Sequence, residues 1–224
     1  MKRLQIVFLS VIFAFALIGN LQAQTEIFSQ AKGLGVNQAY YEFDKWNFSI
    51  DKDRYEISKN GKGKRISEKN VVTNFRFALE EAEQLYRVVY FARYKNDLLL
   101  LSETSDGEYG SGFTVRLNGK TLKTKWQTDV DGFNIGQGLI ENKFAYLTAI
   151  GFIAKLDLGT GKYIWKHTNL YRKYKESGAF NIFLTPQIKD GLVIFKEDDI
   201  EERGIDNQLL VNKTSGKIIG VLVK

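Results

Sequence analysis

Three short segments of this chain share one pattern, and that pattern narrows the folds open to it. Asp157-Leu-Gly-Thr-Gly161-Lys162-Tyr-Ile-Trp165 is the clearest copy. Asn118-Gly-Lys-Thr-Leu122-Lys123-Thr-Lys-Trp126 matches it at the first, sixth and ninth positions. Asn212-Lys-Thr-Ser-Gly216-Lys217-Ile-Ile-Gly220 matches at the first, fifth and sixth. The copies begin 39 and then 55 residues apart, each after an apolar residue (Leu117, Leu156, Val211). Asp or Asn starts such a turn by accepting hydrogen bonds from amides just ahead. Glycine then takes the positive φ that other residues resist. A strand leaves toward a large apolar side chain.

Upstream of each turn lie further strand candidates. They are 97–103 and 112–117 for the first, 143–148 and 152–156 for the second, and 191–196 and 208–211 for the third. Each block reads strand, turn, strand, Asx-type turn, strand. Short strands at regular spacing with Gly-rich turns predict an all-β repeat architecture.

The stretch Phe144–Lys166 resembles the PQQ-like β-propeller repeat, with its apolar–x–D–x–x–T–G–x–x–x–W hairpin. The resemblance covers about residues 90–224. It implies that Trp165, and more weakly Trp126, docks on the neighbouring blade. Gly220 stands at the corresponding position of the third copy, where no docking is implied. The structural repeat residues are therefore Asn118, Trp126, Asp157, Gly161, Trp165, Asn212 and Gly216. The expected fold is all-β: a small or incomplete propeller of three to four four-stranded antiparallel units. A blade takes about 40 residues, so this chain is too short for the seven or eight blades of a complete PQQ-type propeller.

Residues 1–23 read as a cleaved secretory signal peptide. Lys2 and Arg3 precede an almost wholly apolar run, and a small-residue cut site ends at Ala23. The run is shorter than the ~20 residues that span a bilayer, so no stable membrane anchor is expected after cleavage. The expected location is periplasmic or secreted. Cleavage leaves 201 residues and lowers the net charge from +6 to +4. That small excess, in an exported chain, argues against nucleic acid as a partner.

Residues 24–90 form an N-terminal region whose reading stays open. Arg54–Ser58 followed by Gly63-Lys64 reads as a degenerate earlier copy or as a Gly/Lys-rich hairpin. Ala78–Tyr86 reads as the one helical stretch after the signal peptide, or as the lead into a strand at Tyr86–Arg93. Residues 91–224 hold the repeats.

Composition removes much chemistry. Zero Cys excludes disulfides, Cys-ligated metal, c-type haem attachment and thiol nucleophiles. One His (His167) excludes any site built on two imidazoles. The acidic run Glu197-Asp198-Asp199-Ile-Glu201-Glu202 lacks the glycine and terminal Glu of an EF-hand, as does Asp129-Val-Asp131-Gly132. Both read as solvated turns. Gly159-Thr-Gly161-Lys162 lacks the earlier glycine and the Ser/Thr of a phosphate loop. Tyr171-Arg172-Lys173-Tyr174-Lys175 interleaves cations with aromatics and is the candidate binding segment for an anionic polymer; an exposed loop with Tyr packed inward is the plainer reading.

The quinoprotein dehydrogenases of the resembling family use a full eight-bladed ring, a cysteine pair and often a haem. That activity does not carry over, and no cofactor or metal is expected. The leading expectation is an exported, non-catalytic scaffold that binds a protein or cell-envelope polymer, with self-association through open sheet edges. The alternatives are an exported glycan hydrolase using Glu197, Asp198 or Glu201, and a ligand-binding sensor module.

Overall fold

The computed structural model of the chain describes residues 25–30, 40–43, 46–51, 54–59, 62–67, 84–105, 110–121, 123–174, 180–198, 204 and 206–223. The expected signal peptide, residues 78–83 of the expected helix, Leu122, Lys175 and residues 199–203 of the acidic run lie outside them.

The described residues are almost entirely β. Four antiparallel meanders follow one another along the chain. The N-terminal sheet contains β3 (Tyr40–Phe43), β4 (Trp46–Asp51), β5 (Arg54–Lys59) and β6 (Lys62–Ser67). Sheet I contains β7 (Gln84–Tyr94), β8 (Asp97–Ser105), β9 (Gly110–Leu117) and β10 (Thr124–Val130). Sheet II contains β11 (Leu139–Glu141), β12 (Phe144–Ala149), β13 (Phe152–Asp157) and β14 (Lys162–His167). Sheet III contains β15 (Gln187–Lys189), β16 (Leu192–Lys196), β17 (Gln208–Asn212) and β18 (Ile218–Leu222).

Sheets I, II and III stack face to face as consecutive propeller-type blades. The alternation of side chains along each strand serves two cores at once. Ala145, Leu147 and Ala149 of β12, with Ala154 and Leu156 of β13, meet Ala92, Leu99 and Leu101 of sheet I. From the opposite face of sheet II, Tyr146, Ile153 and Trp165 meet Val193, Phe195, Leu209 and Val211 of sheet III. Both faces of β12 and β13 are therefore dry, which is why these strands are apolar nearly throughout rather than alternating. Each fully buried large side chain contributes about 1.5–3 kcal/mol. The alanines of sheet II leave room for the bulkier residues of sheet I and for Phe28.

A strap from the N-terminus binds the sheets together at their inner edges. Strand β1 (Thr25–Ile27) pairs with β11 of sheet II, and β2 (Ser29–Gln30) pairs with β7 of sheet I. Phe28, between them, is fully buried. Its amide donates to the Gly138 carbonyl at 3.0 Å. Its carbonyl accepts from Gln137 Nε2 at 2.8 Å, while Gln137 Oε1 accepts from Thr185 Oγ1, ahead of sheet III, at 2.7 Å.

Three readings of the sequence need correction. Gln84–Tyr86, the end of the expected helix, lies in β7 and pairs with β8; sheet pairing overrides the local helix propensity of the segment. Gly63 and Lys64 lie not in a turn but within β6, paired with Ser58 and Ile57, so the segment forms the β5–β6 hairpin of the second reading without a repeat turn at Gly63-Lys64. The second and third blocks also have a first strand beyond those expected from the sequence, β11 and β15, whereas the strand expected at Tyr86–Arg93 lies within β7.

Candidate functional site

The repeat segments make the joints between sheets, and the two joints are built alike. In each turn the leading Asx caps the backbone. Asp157 Oδ1 accepts from the amides of Gly159 (2.8 Å) and Thr160 (3.1 Å). Asn118 Oδ1 accepts from Lys120 and Thr121, and Asn212 Oδ1 from Thr214 and Ser215. The fourth-position hydroxyl then accepts from the sixth-position amide, as in Thr160 with Lys162 at 3.3 Å and Ser215 with Lys217 at 3.3 Å. Gly161 (φ 71°) and Gly216 (φ 73°) close the second and third turns. Burial pushes the Asp157 carboxyl up, but the two amides and Lys143 outweigh it, so its pKa is lowered.

A tryptophan from the preceding sheet lies on each of these glycines. A Cβ on Gly161 would stand 2.6 Å from Trp126 Cδ2, and one on Gly216 would overlap the Trp165 ring. The indole Nε1 groups donate to the carbonyl of the turn's second residue: Trp126 to Leu158 (3.1 Å) and Trp165 to Lys213 (3.3 Å). A cation from the adjacent strand joins each indole on the same carbonyl. Arg116 Nη1 donates to Leu158 O at 2.9 Å, and Lys155 Nζ to Lys213 O at 2.9 Å. Two residues beyond each tryptophan, a further polar side chain reaches the glycine carbonyl. Thr128 Oγ1 donates to Gly161 O, and His167 Nε2 lies 2.7 Å from Gly216 O.

A β-bulge sets this geometry. The register shifts between Thr124 and Trp126, between Tyr163 and Trp165, and between Ile218 and Gly220. One extra residue in the outer strand turns the ninth position toward the next sheet. In register, Trp126 stands opposite Arg116 and Trp165 opposite Lys155. Gly220 stands opposite Leu210, so the third sheet presents neither an indole nor a cation.

Each joint carries buried charge. Asp97 accepts from Arg116 Nε at 2.6 Å, from Lys125 Nζ at 2.7 Å and from the Gly119 amide at 3.2 Å. Burial pushes its carboxyl up, yet these donors outweigh that cost and its pKa is lowered. At the second joint Lys213 donates to Glu141 Oε1 at 2.8 Å, and Tyr146 donates to Glu141 Oε2 at 3.2 Å. Burial first, then the neighbouring Glu141 charge, raises the Tyr146 pKa. Burial pulls the Lys155 pKa down despite the attraction of Glu141.

The remaining candidates separate. Glu197 is buried, accepting from Asn207 Nδ2 (2.6 Å) and the Asn181 amide (3.0 Å). It holds the segment before sheet III in place, which leaves it poorly suited to act as a surface carboxylate. Glu103 does the same for the segment before sheet II, accepting from the Ile135 amide at 2.8 Å. Leu170–Lys173 forms the single turn of helix α1. Tyr171 packs over Gly151, and Tyr174 packs edge-on against Phe180 with centroids 5.0 Å apart. Among the described residues of that segment, Arg172 and Lys173 stay exposed. Among the described residues no three His, Asp or Glu side chains converge as metal ligands.

The sequence pointed to the tryptophans, Asx residues and turn glycines. It did not single out Arg116, Lys155 or Thr128. For Thr128 the signal was period-2 alternation: Thr128 and His167 each follow a docking Trp by two residues on the same face.

No family model matches the chain, and no curated protein does. Solved structures overlap it partially. A europium-containing methanol dehydrogenase is 16% identical over 63% of this chain and 27% of its own, with a TM-score of 0.43. The quinohemoprotein alcohol dehydrogenase ADHIIG from Pseudomonas putida HK5 is 10% identical over 89% of this chain and 36% of its own, at 0.45. The WD40 domain of SCAP from fission yeast is 7% identical over 92% of this chain and 49% of its own, at 0.36. The chain thus spans between a quarter and a half of each.

Proposed function

We propose that the chain is an exported, non-catalytic array of PQQ-like blades that binds a protein or a cell-envelope polymer. One observation carries this reading. Among the described residues, several groups that could do chemistry are committed to fastening sheets and segments: His167 contacts Gly216 O, Arg116 and Lys155 reach turn carbonyls, and Glu197 and Glu103 hold connecting segments. A general acid or nucleophile needs a free reacting atom facing substrate. The strap also occupies the otherwise unpaired edges of β11 in sheet II and β7 in sheet I. Binding then falls to the exposed loops and edges, where Arg172 and Lys173 project.

Affinity capture with the processed chain on envelope extract tests the proposal, in parallel with hydrolysis assays on envelope glycans. A saturable partner without turnover supports it. Glycan hydrolysis that disappears in Glu197→Gln and Glu201→Gln would establish the hydrolase alternative instead.

A further inference from the structure

The outer edge of sheet III differs from those of sheets I and II. Strand β10 carries exposed Lys125 and Asp129, and β14 carries exposed Lys162 and Lys166. Charges on an edge strand keep other strands from adding to it. Strand β18 has no such guard. Residues 218–223 read Ile-Ile-Gly-Val-Leu-Val, with no charge and no proline. Ile219 is 55% exposed, Val221 39%, Leu222 46% and Val223 45%. Among the described residues β18 pairs only with β17, so its outer row of amides and carbonyls faces away from the sheet.

We propose that β18 pairs antiparallel with β18 of a second copy of this chain, joining two four-stranded sheets into one of eight strands. The strand is complementary to itself. Centred on Gly220, the pairing sets Ile219 of each chain opposite Val221 of the other, and Ile218 opposite Leu222. Within Ile218–Leu222 every exposed apolar position meets an apolar one and no like charges oppose each other; Val223 falls opposite Lys217. On the two-fold axis Gly220 meets itself, where the missing Cβ removes the one unavoidable side-chain collision. Such an interface is closed: the same strand of each copy forms both sides of it, so this contact joins two chains and no more. The joint chemistry agrees, because Leu210 and Gly220 replace the cation and indole that would receive a further blade of the same kind. The inference holds whichever partner the proposed binding surfaces take.

Sedimentation equilibrium of the full processed chain tests it. Wild type is expected at the mass of two chains at tens of micromolar. Val221→Lys and Ile219→Lys, both at exposed positions, are expected to raise the dimer dissociation constant at least about tenfold. Their far-UV circular dichroism and melting temperature should match those of wild type. A single-chain mass for wild type, a dimer that survives both substitutions, or open-ended polymer would overturn the proposal.

Discussion

The Trp165 indole lies on Gly216 and donates from Nε1 to the carbonyl of Lys213, three residues earlier in the same turn. One residue thus supplies the ring and another the room for it, from two different sheets. Trp126 and Gly161 repeat the relationship one sheet earlier. The array has a direction: sheet II both receives an indole, at Gly161, and donates one, from Trp165. Sheet III receives at Gly216 but has Gly220 where its own indole would stand.

Truncating Trp165 to Ala should cost about 3–5 kcal/mol, the usual range for a large buried aromatic. The loss combines a cavity against Phe195 and Tyr146 with a lost indole hydrogen bond. For a chain of this size that corresponds to a fall in melting temperature of several degrees per kcal/mol or somewhat less. Thermal unfolding followed by circular dichroism checks it.

Phe28→Ala should loosen the strap while leaving the turns and docking tryptophans of the repeats intact. The side chain is fully buried between the inner edges of sheets I and II, so a destabilisation of about 3–5 kcal/mol is expected. Amide hydrogen exchange should show lost protection first in β7 and β11, the strands that β2 and β1 cover.

Acid should weaken the first joint. The folded pKa of Asp97 lies below its ordinary value of 3.8. A depressed carboxylate contributes stability that is fully present above the unfolded pKa and is lost as pH falls through the folded one. The contribution of Asp97 is therefore intact at neutral pH and disappears below about pH 4. Asp97→Asn should be less stable than wild type at pH 7, with the gap narrowing toward pH 2. Denaturant unfolding across that range measures it.

Much of the joint was legible in the sequence because its parts are short-range. The Asx residue, the turn glycine and the tryptophan sit within nine positions, so their spacing gave turn and strand, and the resemblance to the PQQ-like repeat implied the docking role of the tryptophan. Inter-strand partners were harder. Arg116 and Lys155 join the joints only because bulges put them opposite Trp126 and Trp165, and a bulge leaves no composition signal. Strands β11 and β15 have three residues each, too few for alternation to show. The strap was hidden for another reason: Thr25–Gln30 has little pattern of its own and takes its structure from edges that lie 60 or more residues away in sequence. The Tyr171–Tyr174 segment keeps exposed cations, but both aromatic rings went to packing, and no sequence pattern distinguishes a stacking tyrosine from a core one.

The central claim is that indole and glycine form one joint, and a double-mutant cycle between Trp165 and Gly216 tests it most directly. Gly216→Ala alone should combine the cost of a positive φ, about 1–3 kcal/mol, with the overlap on the ring. Gly191→Ala, at φ 76° with open space around its Cβ, isolates the φ cost. In the Trp165→Ala background, Gly216→Ala should cost no more than Gly191→Ala does in wild type. The coupling energy should then exceed about 1 kcal/mol. Additivity within about 0.5 kcal/mol would contradict the joint.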